Sequence, residues 1–205
     1  SQPLSIYGTK RVLSVLEANT IFNVLNPKFV RRNPLNLEES CTPQELDGLD
    51  LGFEVKPFAV PGKVALWLED ESKGENFGSV DEDTIALEVS CGSKKFFYIP
   101  ACAEMTPALS NRIRGADLIF FDGTLWVDDE MIKEKVGIKT GKRMGHMSVS
   151  GEDGTIAALK NLGIKRKIFI HINTTNPILI ENTTERLMVE KAGWEVSFDG
   201  MHIAL

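Results

Sequence analysis

Residues 117–129 read DLIFFDGTLWVDD and residues 167–177 read KIFIHINTTNP. Each holds a short apolar run, Leu118–Phe121 and Ile168–Ile170, that stops abruptly at a side chain able to bind a metal or move a proton. The first run stops at Asp122 and the second at His171. A buried strand ending in a carboxylate or an imidazole is how an α/β sheet places chemistry at its carboxyl edge. Between the two runs, residues 145–154 read GHMSVSGEDG and carry His146 just behind the basic pair Lys142-Arg143.

Around these runs strands alternate with helices. A strand is predicted over 117–121, a helix near Asp129–Lys135, a loop over 137–150, a helix over 152–161 closed by Gly163, a strand over 166–171, and a helix over 183–192 closed by Gly193. Asn182 and Glu185 have the spacing of a capping box for that last helix. Trp194–Phe198 and Met201–Ala204 flank Asp199-Gly200, a type I′ turn dipeptide, so a terminal hairpin is expected. Further upstream the pattern is mostly antiparallel β. Leu51–Val60 and Lys63–Leu68 read as strands, and the acidic stretch Glu69–Asp83 reads as a solvated hairpin tip. Thr84–Ser90 and Lys94–Ile99 flank Gly92-Ser93, which suits a type II′ hairpin. Thr106 with Pro107 starts a helix to Ile113. The chain opens on a strand, Pro3–Tyr7, and a helix capped by Thr9 that runs to Leu16. Asn26-Pro27 and Asn33-Pro34 mark turns. A β-rich half followed by strand–helix alternation predicts a layered α/β sandwich.

The chain has 205 residues, enough for one domain over 1–205 with a sizeable core. A net charge of −6 and the absence of a Lys/Arg stripe argue against a nucleic-acid or anionic-membrane partner. No apolar run approaches the roughly 18 residues of a membrane span. The opening SQPLSIYG has neither the basic nor the apolar region of a signal peptide. Cys41, Cys91 and Cys102 are odd in number and far apart, which suits reduced thiols in a cytoplasm. No C-x-x-C pair offers a cysteine zinc site.

The histidines are His146, His171 and His202. His171 reads either as a metal ligand or base at a strand end, or as a hydrogen-bonded structural residue. Asp122 before Gly123-Thr124 reads either as a functional carboxylate or as an Asx-turn residue. His146 lies in a partly apolar loop between Met144 and Met147, and His202 reads as an exposed strand residue. At most Asp122, His146 and His171 can form a site, fewer donors than a closed metal centre uses. There is no nucleophile elbow, P-loop or Rossmann fingerprint.

The runs FFDGTLWVDDEM (120–131), KTGKRMGHMSVSGEDGTIAALKNLGIKRKIFIHINTTNP (139–177) and AGWEVSFDGMHIAL (192–205) closely resemble the coenzyme PQQ synthesis protein B family of the metallo-β-lactamase superfamily. The likeness continues upstream through KFFYIPACAEMTPAL, VKPFAVPGKVALWL and PLSIYGTKRVL, so it covers essentially the whole chain. It implies an αββα sandwich, incomplete at the N-terminus. It implies that His171 is a metal ligand and that Asp122 and His146 assist proton transfer, as in related tRNA-processing members. Asn173 and Asn176 belong to the family pattern and are expected to shape the substrate pocket. The superfamily's bridging Asp falls at Ala101 here, so a carboxylate-bridged dinuclear zinc site and β-lactamase-type hydrolysis are not expected. The family's amino-terminal third, with its His/Asp metal loop and a structural zinc site, has no counterpart in these residues. The chain therefore resembles a shortened member of the family.

The resemblance implies a role in making pyrroloquinoline quinone (PQQ). One expectation is Fe(II)-dependent hydroxylation of the tyrosine of a peptide precursor, with His171 on the iron and with iron binding weakened by the shortage of ligands. The other is a carrier that binds PQQ or a late intermediate, with Lys142 and Arg143, and Lys139 nearby, pairing its carboxylates. A solvated basic loop is the bland alternative for those three residues. An inactive chain with exposed sheet edges is a third expectation, and a homodimer is one way to cover such edges.

Overall fold

Four segments with the β-branched and aromatic content of buried strands line up side by side at the centre of the molecule. The computed structural model describes residues 3–45, 47–63, 77–79 and 82–205. In chain order its first elements are β1 (Leu4–Thr9), α1 (Lys10–Ala18), β2 (Val30–Leu35) and β3 (Glu54–Ala59). Then come β4 (Gly62–Lys63), β5 (Phe77–Ser79), β6 (Ile85–Cys91), β7 (Lys94–Ile99) and α2 (Pro107–Ile113). The remainder is β8 (Leu118–Asp122), α3 (Glu130–Lys133), α4 (Gly141–Met144), α5 (Thr155–Leu159), β9 (Arg166–Ile170), α6 (Thr184–Lys191) and β10 (Glu195–Val196).

The main sheet runs β10-β9-β8-β7-β6-β3. β7, β8, β9 and β10 are mutually parallel, and β6 and β3 join antiparallel at one side. The central parallel strands β8 and β9 carry short apolar runs, as strands with little exposed surface do. Leu118, Ile119, Phe121, Ile168 and Phe169 are essentially fully buried. Trp194 stacks on Phe169 at 4.0 Å between ring centroids and closes this core beside α6. The mixed sheet flanked by helices is the α/β sandwich that the sequence predicts. No helix among the described residues is long and apolar enough to cross a membrane.

Several local expectations hold. Thr9 caps α1 by accepting from Val12 N, and Thr106 caps α2 by accepting from Leu109 N. Cys91 pairs with Lys94 around Gly92-Ser93, and only Gly92 of the two has positive φ, as a type II′ turn requires.

Others are corrected. β2 forms where only turns are expected, and Pro34 lies within it. β2 pairs with β1 alone among the described strands, so the lost N–H of proline does no harm at that edge. The cap of α6 is Thr183, which accepts from Arg186 N, while Asn182 turns left-handed at φ 65 just before it. The terminal hairpin does not form. Gly200 has positive φ but Asp199 does not, so the turn is not type I′, and residues 201–205 form no strand. The 137–150 loop contains α4. The expected strand Lys63–Leu68, beyond its first residue, lies outside the described residues, as does most of the acidic tip.

Candidate functional site

In the register of the main sheet Asp122, the last residue of β8, faces Ile170, the last residue of β9. His171 is the next residue, so Asp122 and His171 emerge together at the carboxyl edge of the parallel strands, where open α/β sheets hold their ligands. β7 ends at the same edge, and the loop that follows it carries Ala101 and Cys102. His146 arrives from a different direction. Thr140 caps α4, and Gly145 ends that helix with φ 88, a left-handed turn that delivers the next residue to the edge. Met147 N donates to Cys102 O at 2.7 Å and pins this loop to the one after β7.

Asp122 is fully buried, and its two oxygens accept from four donors. Oδ2 accepts from Cys102 N at 3.1 Å and from His146 Nδ1 at 2.7 Å. Oδ1 accepts from Thr124 N at 3.1 Å and from Thr124 Oγ1 at 2.6 Å. An ionised carboxylate only accepts, so Nδ1 of His146 carries the proton of that bond. The bond from Thr124 N is the Asx turn that one reading of Asp122 expects, and the bond from His146 makes a carboxylate–imidazole pair. Burial pushes the Asp122 carboxyl up. The hydrogen bond from His146, with His171 and Thr124 close by, outweighs it and holds the group below the ordinary carboxylate value.

His171 stacks against His146 with ring centroids 5.2 Å apart. Its Nδ1 lies 2.8 Å from Thr124 Oγ1 and 3.8 Å from Asp122 Oδ1. The Asp122 carboxylate raises the His171 imidazole above its ordinary value, against the lowering effect of partial burial. His171 sits at φ 53, a left-handed backbone that is uncommon for a non-glycine residue and concentrates at functional sites. Its side chain is 54% exposed, whereas that of His146 is 13% exposed.

Asp122, His146 and His171 are a group of side chains whose donor atoms lie within 4.8 Å of one another, close enough to hold a metal ion. Their roles differ. Asp122 has no exposed surface and its oxygens are already engaged, so it is poorly placed as a direct ligand. His146 has spent one ring nitrogen on Asp122. His171, half-exposed, is the member best placed to bind an ion. Cys102 lies beside Asp122, but burial, and the Asp122 charge with it, push its thiol up to about 12 despite the hydrogen bond to Glu104 O, so it stays protonated.

The remaining predicted residues fall into two groups. Lys142 joins His146 in lining an open cavity of about 690 Å³, together with Glu104, Asp128, Glu152 and Asp153. Arg143 is partly buried on the same helix. Asn173 and Asn176 lie in the loop after His171. Asn176 is fully buried: its Nδ2 donates to Gly123 O at 2.8 Å and its Oδ1 accepts from Ile178 N at 3.1 Å. Both ends of its amide thus hold backbone, and the side chain is committed to the loop itself. Asn173 Nδ2 donates to Thr175 Oγ1 at 2.6 Å, and Asn173 N donates to Thr124 O at 3.1 Å. His202 is exposed in the C-terminal stretch. Thr124, which touches all three central residues, was not among the predicted site residues. The signal for it was its place in Asp122-Gly123-Thr124, two residues beyond a strand-end carboxylate.

A model of the β-lactamase superfamily domain matches residues 1–172. A coenzyme PQQ synthesis protein B of Bradyrhizobium diazoefficiens is 50% identical over 206 aligned positions, covering 99% of this chain and 66% of that protein. Among solved structures, zinc-bound PqqB from Methylobacterium extorquens is 44% identical with a TM-score of 0.92, covering 100% of this chain and 66% of that one. The metallo-β-lactamase fold protein YhfI from Bacillus subtilis shares the fold at a TM-score of 0.63 with 12% identity, covering 98% of this chain and 65% of its own. The chain thus spans 66% of the length of these curated relatives. A superfamily match over most of the sequence, joined to the likeness at half of all positions, places the chain in the β-lactamase superfamily and, within it, in the coenzyme PQQ synthesis protein B family.

Proposed function

We propose that the chain acts in PQQ biosynthesis, and that its site serves Fe(II)-dependent hydroxylation of the tyrosine of a peptide precursor. The observation that carries this reading is the pairing of a half-exposed strand-end histidine, His171, with a buried Asp122–His146 pair at the same sheet edge. The names of the relatives support the pathway, and the zinc-bound state of the Methylobacterium protein supports metal binding in the family. Iron as the metal is part of the proposal, since the imidazole of His171 suits iron as well as zinc.

When bound, Fe(II) would supply O₂ chemistry, in which one oxygen atom enters the ring and the other leaves as water with two electrons from an external reductant. The protein's part is positioning and proton movement. Asp122 fixes the His146 ring through the hydrogen bond from Nδ1. The Nε2 atom is left to take the phenol proton of a substrate. One histidine is too few donors for tight metal binding, so the chain by itself is expected to bind Fe(II) or Zn(II) weakly.

A carrier role for PQQ is the second reading. It has Lys142 beside His146 in its favour, but four carboxylates share that cavity and oppose an anionic ligand.

The two readings separate on one assay. Precursor peptide incubated with the chain, Fe(II) in large excess to offset the weak binding, ascorbate and O₂ should slowly gain one oxygen atom, and His171→Ala and His146→Ala should abolish the gain. Unmodified peptide together with saturable PQQ binding that is lost in Lys142→Ala would overturn the hydroxylase reading in favour of the carrier.

A further inference from the structure

We infer that Thr124 is the positioning residue that sets the tautomer of His171, and so decides which of its ring nitrogens faces a ligand. This rests on the reading of His171 as a metal ligand. Thr124 Oγ1 lies 2.6 Å from Asp122 Oδ1, 2.8 Å from His171 Nδ1, 3.2 Å from His146 Nδ1 and 3.0 Å from His171 O. The residue is buried, so no bulk water competes for these contacts.

A hydroxyl has one proton to give and two lone pairs. Asp122 Oδ1 and His171 O are acceptors only, and the carboxylate makes the shorter, charge-assisted contact, so it takes the proton. Oγ1 then has only lone pairs left for the imidazoles. His171 Nδ1 must therefore be the N–H form. The same holds for His146 Nδ1, which already donates to Asp122 Oδ2. In the neutral state each ring is left with its bare lone pair on Nε2. Had Thr124 given its proton to His171 Nδ1 instead, a 2.6 Å contact between Oγ1 and a carboxylate oxygen would have no proton in it.

The backbone around Thr124 reinforces this. Asn173 N donates to Thr124 O, and Gly123 N donates to Ile170 O, so the residues on both sides of His171 are tied to the turn that carries Thr124. Those ties hold His171 at φ 53 with its ring over the hydroxyl. The D-G-T sequence thus does two things in three residues. Asp122 orients His146, and Thr124 orients His171.

The test uses the metal-free chain first. ¹⁵N NMR of the imidazoles at alkaline pH, where both rings are neutral, should show His171 as the Nδ1–H tautomer in the parent chain. Thr124→Val, which keeps the shape and removes the hydroxyl, should shift His171 toward the Nε2–H form, and Thr124→Ser should restore the parent pattern. Zn(II) affinity should fall about 10–100-fold in Thr124→Val and recover in Thr124→Ser. An unchanged Nδ1–H tautomer in Thr124→Val overturns the proposal. If Thr124→Val fails to fold, an Nε2–H form in the parent or in Thr124→Ser overturns it equally. A tautomer shift with no change in Zn(II) affinity would keep the role of Thr124 and refute His171 as the ligand.

Discussion

His146 Nδ1 donates to Asp122 Oδ2 at 2.7 Å across a sequence separation of 24 residues, and the acceptor is fully buried. This pair ties the loop after α4 to the end of β8. Asp122 also receives Cys102 N and Thr124 N, so three chain segments converge on one carboxylate.

Replacing that carboxylate removes the common acceptor. Asp122→Ala leaves the donors of Cys102, Thr124 and His146 unpaired in a buried place. The expected loss is about 3–5 kcal/mol in a urea unfolding series. A loss within experimental error would show that water reaches these donors and that the convergence is unimportant for stability.

Gly145→Ala tests how His146 is delivered. Gly145 has φ 88, and an added Cβ would stand 3.1 Å from Lys63 Cβ. A left-handed alanine costs roughly 1–2 kcal/mol, and relief of the contact would move His146 away from Asp122. The expected result is a lower melting temperature together with loss of the His146 Nδ1–H signal bonded to Asp122. A stable variant that retains that signal would refute the requirement.

Asn176→Ala separates holding a loop from contacting a substrate. Its amide is buried with both ends on backbone, so the substitution should cost about 1–3 kcal/mol in unfolding. Asn173→Ala should cost less, because Asn173 is only partly buried. Equal stability of Asn176→Ala and the parent chain, measured side by side, would sink this assignment.

The Arg166–Glu195 pair gives a dependence on pH. Arg166 Nε and Nη2 meet the two oxygens of Glu195 at 2.6 and 2.8 Å, joining β9 to β10. The hydrogen bond from Arg166 lowers the Glu195 carboxyl below its ordinary value of 4.5, against the opposing effect of burial. A depressed carboxyl contributes stability that is fully present above the unfolded value and is lost as pH falls through the folded one. Acid unfolding of Glu195→Gln should therefore show a shallower loss of stability below about pH 4.5 than the parent, with the two curves parallel above it. Because the pair is partly exposed, high salt should shrink the difference. Identical acid limbs would rule the pair out as a contributor.

Much of the architecture was legible from local pattern. Apolar runs that stop at Asp122 and His171 located β8 and β9, because a strand buried on both faces has few polar residues until it leaves the sheet. Thr9, Thr106 and Gly92-Ser93 were readable because a cap or a tight turn is settled by residues within four positions of one another. The same short range explains the misses. Asn182 and Thr183 are both good caps, and only the left-handed turn at Asn182 decides between them. β2 depends on finding β1 as a parallel neighbour, which no local pattern announces.

By itself the sequence determined the strand ends, the family likeness and the identity of the candidate side chains. Those depend on residue type and local spacing. The tertiary structure alone decided what each side chain is free to do. The register of Asp122 against Ile170 brings the carboxylate under His171. The burial of Asp122 and Asn176 commits them to internal partners, and the hydroxyl of Thr124 stands among Asp122, His146 and His171. These are long-range facts of packing and hydrogen-bond count. A buried polar group must find its partners wherever the fold brings them, and the chain's linear order does not say where that will be.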